Sequence, residues 1–521
     1  MNSILESARL VREDGNRRLF DFGKASFCRI QLANTGKGGN IKFAVGECIK
    51  ENWIDDAPGG NRRYYAAELT IPAGCGTFEV EFPPHVAPNS WARKCPSPAA
   101  PFEVMPLRYV EITGDLDLSV NRHSYYGGFN DEAGCFESSS DALNELWDFC
   151  KYSIKATNCF ECYVDGDRER LPYEADAYVN KLSHFCMDTE YSKGKNTISR
   201  LLESPTWPIE YRLLMPIVVW NYLLYSGDTS CLEAWKAPLT DGLFLDRLDE
   251  NSLLPEHFDY ICNHELVRTI VDWPVVERDN CEFAEKPMTI TNSYLYAALL
   301  AMENLYGGGK YRELAAKVKA SLHRLLKKDG VFVDNTDSTH SAIQTLTHPI
   351  VWGVADKAEC AKMMPLVESK GLPCSVYGAQ FVLEACYMSG YADHALKLLT
   401  RRGERSWLGM IDQGSTISME AWSNALKPNQ DWNHAWGAAP GNVIPRWLCG
   451  IRPTAPGFKE FIVAPQPADL EFFRFVHPTG HGKITVEYHK DSGTKVTFPN
   501  GKSDTFANGS RTYTIDGAIL A

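Results

Sequence analysis

The chain has 521 residues, 44% of them hydrophobic and 23% charged, with a net charge of −13. That length exceeds one ordinary core, and the composition is globular. The acidic balance argues against nucleic acid or an anionic membrane as partner and says little about a neutral ligand.

The first residues, MNSILESARLVREDGNRRLF, lack the basic, apolar and small-residue regions of a secretory signal. No run approaches the length of a membrane span. A cytoplasmic location is therefore expected, and the 16 scattered cysteines read as reduced thiols. Cys159 and Cys162 form a lone CxxC without a partner pair, which reads as structural.

From residue 1 to 135 the pattern is β. FCRIQL, IKFAVGE, YYAAELTI, TFEVEF and LRYVEIT alternate and are rich in branched and aromatic residues, with NTGKGGN, PAGCG and PSPAAPF as breaks. A β-sandwich is predicted there. At SSSDALNELWDFCKYSIKATN the period changes: Ser140 can cap, and Leu143, Leu146, Trp147, Cys150 and Ile154 share one helical face. Helical segments follow to about residue 452, among them PIVVWNYLLYS, SYLYAALLAMENLYGG, YRELAAKVKASLHRLLKKDG, GAQFVLEACYMSG, ADHALKLLTRRG and NVIPRWLCGI. Several end at Gly, as helices do. Paired helices over residues 136–452 are too many for a four-helix bundle and suit an (α/α)6 barrel. Residues 453–521 return to β, with FKEFIVAP, GKITVEYHK, TKVTFPNG and SRTYTIDG, and give a small C-terminal β-domain.

The densest chemistry lies in DGDRERLPYEADA, where Asp165, Asp167, Glu169, Glu174 and Asp176 surround Arg168 and Arg170. A charge run is usually a solvated face, yet an apolar-periodic stretch, YVNKLSHFCM, follows at once. In a toroid such a loop walls the funnel. A second candidate is Glu420 in QGSTISMEAWS, whose apolar neighbours favour a base. Asp431, His434 and Trp436 follow it, and Asp272 and Trp273 stand in VDWP. Two carboxylates remote in sequence but facing one funnel are what glycoside hydrolysis needs, with aromatic rings as platforms for a sugar. Singly, each acid reads as well as a loop cap, and the arginines as neutralising partners. His257, His264, His340 and His348 have no ligand spacing, so no catalytic metal and no cofactor are expected.

DGDRERLPYEADA resembles the acidic motif of the bacterial α-L-rhamnosidases, glycoside hydrolase family 78. STISMEAW resembles that family's later Thr-x-x-x-Glu-x-Trp element, NHAWGAAPGNVIPRWLCGI its Asn-His segment, and VDWP an Asp-Trp element between them. The resemblance implies removal of a terminal α-L-rhamnose by inversion. It places the general acid on Glu169 and the general base on Glu420. It places sugar contacts on Asp176, Tyr173, Asp272, Trp273 and His434. The family's usual Asp, six positions before the acid, is here Tyr163, so Asp165 or Asp167 is expected in its role. The implied partner is a rhamnose-containing glycoside; a homodimer is left open. Two rivals stand beside this reading: another toroid glycosidase, such as an unsaturated-uronyl hydrolase, and an inactive sugar-binding relative.

Overall fold

A computed structural model describes residues 3–86, 103–262 and 264–520. The break PSPAAPF lies outside these residues. The N-terminal part is an eight-stranded antiparallel sheet. Its spine is the strand Arg17–Gly36, which pairs with Met105–Thr113 over its first half and with Leu118–Ser124 and Gly74–Glu79 over its second. The register shifts between Asp21 and Ser26, a bulge of the kind that bends a strand. Phe20, Ile30, Leu32, Phe43, Val45 and Val110 belong to the apolar core of this part.

Helix α1 (Asp141–Ala156) starts where expected: Ser140 accepts from Leu143 N, and Leu143, Leu146, Trp147, Cys150 and Ile154 are buried. From there two kinds of helix alternate. Helix α2 (Glu174–Met187), Ile209–Ser226, Thr289–Tyr306, Ile343–Val351 and Gly378–Met388 are buried on almost every side. The helices between them, such as Ser192–Glu203 and Lys310–Leu325, bury one stripe. All-round burial marks an inner element and a stripe an outer one. Each inner helix packs on the next, Gly378–Met388 packs on Pro440–Val443, and that segment packs back on α2. The inner set therefore closes on itself.

PIVVWNYLLYS proves to be the later part of a helix that begins at Ile209; Pro216 sits inside it. The C-terminal sheet holds a strand that the sequence pattern hid, Phe472–Thr479, whose near-continuous burial erases the alternation. The short strand Cys135–Ser138, just before α1, pairs with it. That sheet is therefore stitched from both sides of the helical region.

Candidate active site

Loops that precede four of the six inner segments meet at one cavity of about 260 Å³, lined by residues of 165–176, 207–211, 265–273 and 420–436. That is near the small end of the range for ligand pockets, ~300–1,000 Å³.

The first wall is the loop Asp165–Tyr173. Its ends are tied: Asp165 N donates to Leu171 O at 2.8 Å and Leu171 N to Asp165 Oδ1 at 2.9 Å. Gly166 has φ +123, and a Cβ there would lie 2.8 Å from Asp431 Oδ2, so the turn requires glycine. Asp167 is fully buried, accepting from Arg170 at 2.7 and 3.0 Å. This frame presents Arg168 and Glu169 to the cavity. Glu169 Oε2 accepts from Tyr173 Oη at 2.6 Å and Oε1 from Arg168 Nε at 3.3 Å.

The facing wall carries Glu420. Its backbone N donates to Asp431 O at 3.1 Å, and Asp431 N donates back to Glu420 Oε2 at 3.2 Å. Arg168 crosses the cavity and forks both oxygens, at 2.8 and 3.0 Å, and Lys427 Nζ lies 3.2 Å from Oε1. Burial pushes the Glu420 carboxyl up, but His434, Arg168 and Lys427 outweigh it and hold it below the ordinary glutamate value. One guanidinium thus touches both glutamates. Asp165 goes the other way: burial and the neighbouring Glu169 raise it well above the ordinary aspartate value against the pull of Arg168. Asp176, on the first turn of α2, accepts from His434 Nε2 at 2.9 Å; burial raises it and His434 opposes.

Of the residues singled out from the sequence, the cavity brings together Asp165, Glu169, Tyr173, Asp176, Trp273, Glu420 and His434. It does not bring Asp167 or Asp272 to its wall. Asp167 is spent on Arg170 and on Arg63 Nε at 3.3 Å. Asp272 accepts from Gln344 Nε2 at 2.8 Å, Ser375 N at 3.0 Å and Trp273 N at 2.8 Å. It ties the 272–273 backbone to the turn before Gly378 rather than facing a ligand. Trp273 is 39% exposed at the lip.

Trp207, Tyr211, Lys427 and Asn429 also line the cavity and were not singled out. Trp207 had a usable signal: Trp-Pro occurs at 207–208 and again at 273–274. Lys427 had none, because a lysine in a polar loop looks solvated until its partner is known. Among the described residues, Glu420, Asp431 and His434 could together ligate a metal, their donor atoms lying within 4.8 Å. Glu420 is already neutralised by Arg168 and Lys427, and a dication would face both, so the donor set suits a cation poorly.

A double ring of helices with two facing carboxylates at its mouth defines a glycosidase-like class of protein. Residues 131–448 match the bacterial α-L-rhamnosidase 6 hairpin glycosidase domain, and residues 450–501 the bacterial α-L-rhamnosidase C-terminal domain. The chain belongs to this family. A curated α-L-rhamnosidase of Alteromonas sp. (strain LOR) is 22% identical over 444 residues, which is 75% of this chain and 47% of that protein. The Streptomyces avermitilis α-L-rhamnosidase solved with L-rhamnose superposes with TM-score 0.74 at 17% identity, covering 96% of this chain and 49% of that one. A GH78 family rhamnosidase of Bacillus sp. GL1 gives TM-score 0.70 at 18% identity, covering 92% and 52%. The chain thus spans about half the length of these relatives, and the solved structures establish its fold.

Proposed function

We propose that the protein is an inverting α-L-rhamnosidase. The observation that carries this is the pair Glu169 and Glu420, on opposite loops of one cavity and bridged by Arg168, inside the stretch that matches the family. Glu169 gives a proton to the glycosidic oxygen as the bond to the anomeric carbon breaks. Glu420, ionised, takes a proton from the water whose oxygen bonds that carbon from the other face. Asp165 and Asp176 bind ring hydroxyls, and Trp273 and Trp207 cover apolar ring faces. Inversion is what the family resemblance implies, and the separation of the two carboxyl groups is its geometric test. Inverting pairs stand ~6.5–9.5 Å apart and retaining pairs only ~5–5.5 Å.

The rival uronide substrate needs a free cation for its carboxylate, and the arginine and lysine that line the cavity are already engaged with Glu420. The same reading divides the chain at 1–135, 136–452 and 453–521, with the middle part a six-hairpin barrel. Fifteen described cysteines are free, which supports a reducing, cytoplasmic compartment; no described helix is long and apolar enough to cross a membrane. Assays on an aryl α-L-rhamnoside and an unsaturated uronide, with the released anomer followed by NMR, test the reading. β-Rhamnose appearing first is expected. Cleavage of the uronide alone, or rhamnose binding without turnover, would replace the reading with a rival.

A further inference from the structure

We propose that the N-terminal β-domain is a working part of the active site, with Arg63 and Glu103 as positioning residues for the loop that presents Glu169. The proposal rests on the reading of Glu169 as the acid. Four charges alternate across the domain junction. Glu103 Oε1 lies 2.6 Å from Arg170 Nη1, Arg170 Nη2 binds Asp167 Oδ1 at 2.7 Å, and Arg63 Nε reaches Asp167 Oδ2 at 3.3 Å. Arg170 also donates to Val104 O at 2.9 Å. The outer members belong to the β-domain and the inner two flank Arg168 and Glu169 in sequence.

The same part of the β-domain reaches the facing loop. Glu47 Oε1 accepts from Arg63 N at 2.6 Å and its Oε2 from Asn433 Nδ2 at 3.2 Å, while Asn433 Oδ1 accepts from Asp167 N at 2.7 Å. Asn61 N donates to Gln430 O at 3.3 Å, and the Arg62 guanidinium lies 4.7 Å over the Trp432 ring. Gly60, at φ +60, presses so closely that a Cβ would stand 2.9 Å from Pro428 O. One short stretch, 47–63, therefore braces both glutamate-bearing loops.

A buried ion ladder is a poor source of stability, since desolvation offsets its attraction. What it supplies is position. A displacement of about 1 Å in a reacting group can cost roughly 10²-fold in rate. The loop is short and bears an arginine at φ +55, and its internal ties, Asp165 to Leu171 and Arg170 to Asp167 and to Gly166 O, leave its seating against the barrel to contacts from outside.

The test uses the full chain with Arg63→Ala, Arg63→Lys, Glu103→Gln and Gly60→Ala. Arg63→Ala is expected to lower kcat on a rhamnosyl-sugar by about 10–10²-fold, and far less on an aryl rhamnoside with an acidic phenol. The acid matters only for the poor leaving group. Arg63→Lys restores part of the loss, and Glu103→Gln follows Arg63→Ala in kind. Gly60→Ala, which pushes on the loop beside Glu420, lowers both substrates alike. Hydrogen exchange of the intact variants should quicken in peptides covering 165–171 for Arg63→Ala and 428–433 for Gly60→Ala. Equal losses on both substrates for Arg63→Ala, tracking a lost folded fraction, would mean a structural role and overturn the proposal. So would unchanged exchange at 165–171. If Arg63→Ala does not fold, Glu103→Gln carries the same two readouts. If the wild type cleaves no rhamnoside, the functional reading fails, and hydrogen exchange alone still decides whether the β-domain holds the loop.

Discussion

Glu420 and Glu169 face one cavity from opposite loops, yet they are held by different means. Glu420 is gripped by Arg168, Lys427 and the backbone of Asp431, and is nearly sealed from solvent. Among the described residues, Glu169 has a tyrosine hydroxyl and a long contact to Arg168 at its carboxyl, and its order comes from the ladder behind it. Under the proposed roles, the difference teaches how one residue type is set to two tasks. Surrounding cations favour the charged form of a base. A carboxyl that must give and regain a proton is better positioned through its backbone than by ion pairs to its own oxygens.

The largest effects should come from removing either glutamate, and the comparison predicts different signatures. Glu420→Gln is expected to lose about 10²–10⁴-fold in kcat/KM on aryl and sugar rhamnosides alike, because water must attack in both. Glu169→Gln should lose a similar factor on the sugar substrate and much less on an acidic phenol. Opposite leaving-group dependence would exchange the two roles.

Asp165 and Asp167 sharpen the comparison within a single loop. Asp165 stands on the cavity wall and Asp167 behind it. Asp165→Ala should cost at least about 10²-fold in kcat/KM, roughly 2.7 kcal/mol of transition-state binding. Asp167→Ala removes the middle of the ladder and should lower both stability, by up to about 3–5 kcal/mol in denaturant unfolding, and kcat on a rhamnosyl-sugar, at least as far as Arg63→Ala does. Its KM for rhamnosides should stay near wild type. A raised KM with full stability would put Asp167 in the sugar site.

A smaller effect tests the electrostatics. Cations hold Glu420 below the ordinary glutamate range, so activity on the acid side is lost only as pH falls through that depressed value. Lys427→Met removes one of those charges and should move the acid limb of the kcat/KM profile to higher pH. No movement would mean that Arg168 and His434 alone set the value.

The smallest effect concerns stability. Burial, then the Glu420 charge, raise Asp431 well above the ordinary aspartate value, with Arg168 opposing. The folded state then holds a proton that the unfolded chain releases, so this group's stabilisation is full below the ordinary aspartate range and is lost as pH rises toward the folded value. Asp431→Asn should flatten that fall in thermal midpoint with rising pH. An unchanged slope would show that Asp431 is ionised in the native protein.

Much of this was legible in the chain. The apolar period around Leu143, Leu146, Trp147 and Cys150 specified a helix, since those side chains can share only one face. The strand Tyr64–Ile71 coincides with YYAAELTI because its alternation is strict. The strand Phe472–Thr479 was hidden because from Phe475 onward it is buried on both faces, and only its first few residues alternate. Acids crowded beside an apolar run, in DGDRERLPYEADA, marked a site because burial would otherwise cost too much.

The sequence by itself determined which residue types could do the chemistry and which local periods carry them, because helix faces and loop signals depend on neighbours only a few positions away. Tertiary structure alone decided that Asp165 reaches the cavity while Asp167 is spent on Arg63 and Arg170. It alone set Lys427 against Glu420 and brought the stretch 47–63 under both loops. Some of those partners are remote in the chain, as Arg63 is from Asp167 and Asn433 from Glu47, and a charged side chain has no fixed role until the fold supplies the group that neutralises it.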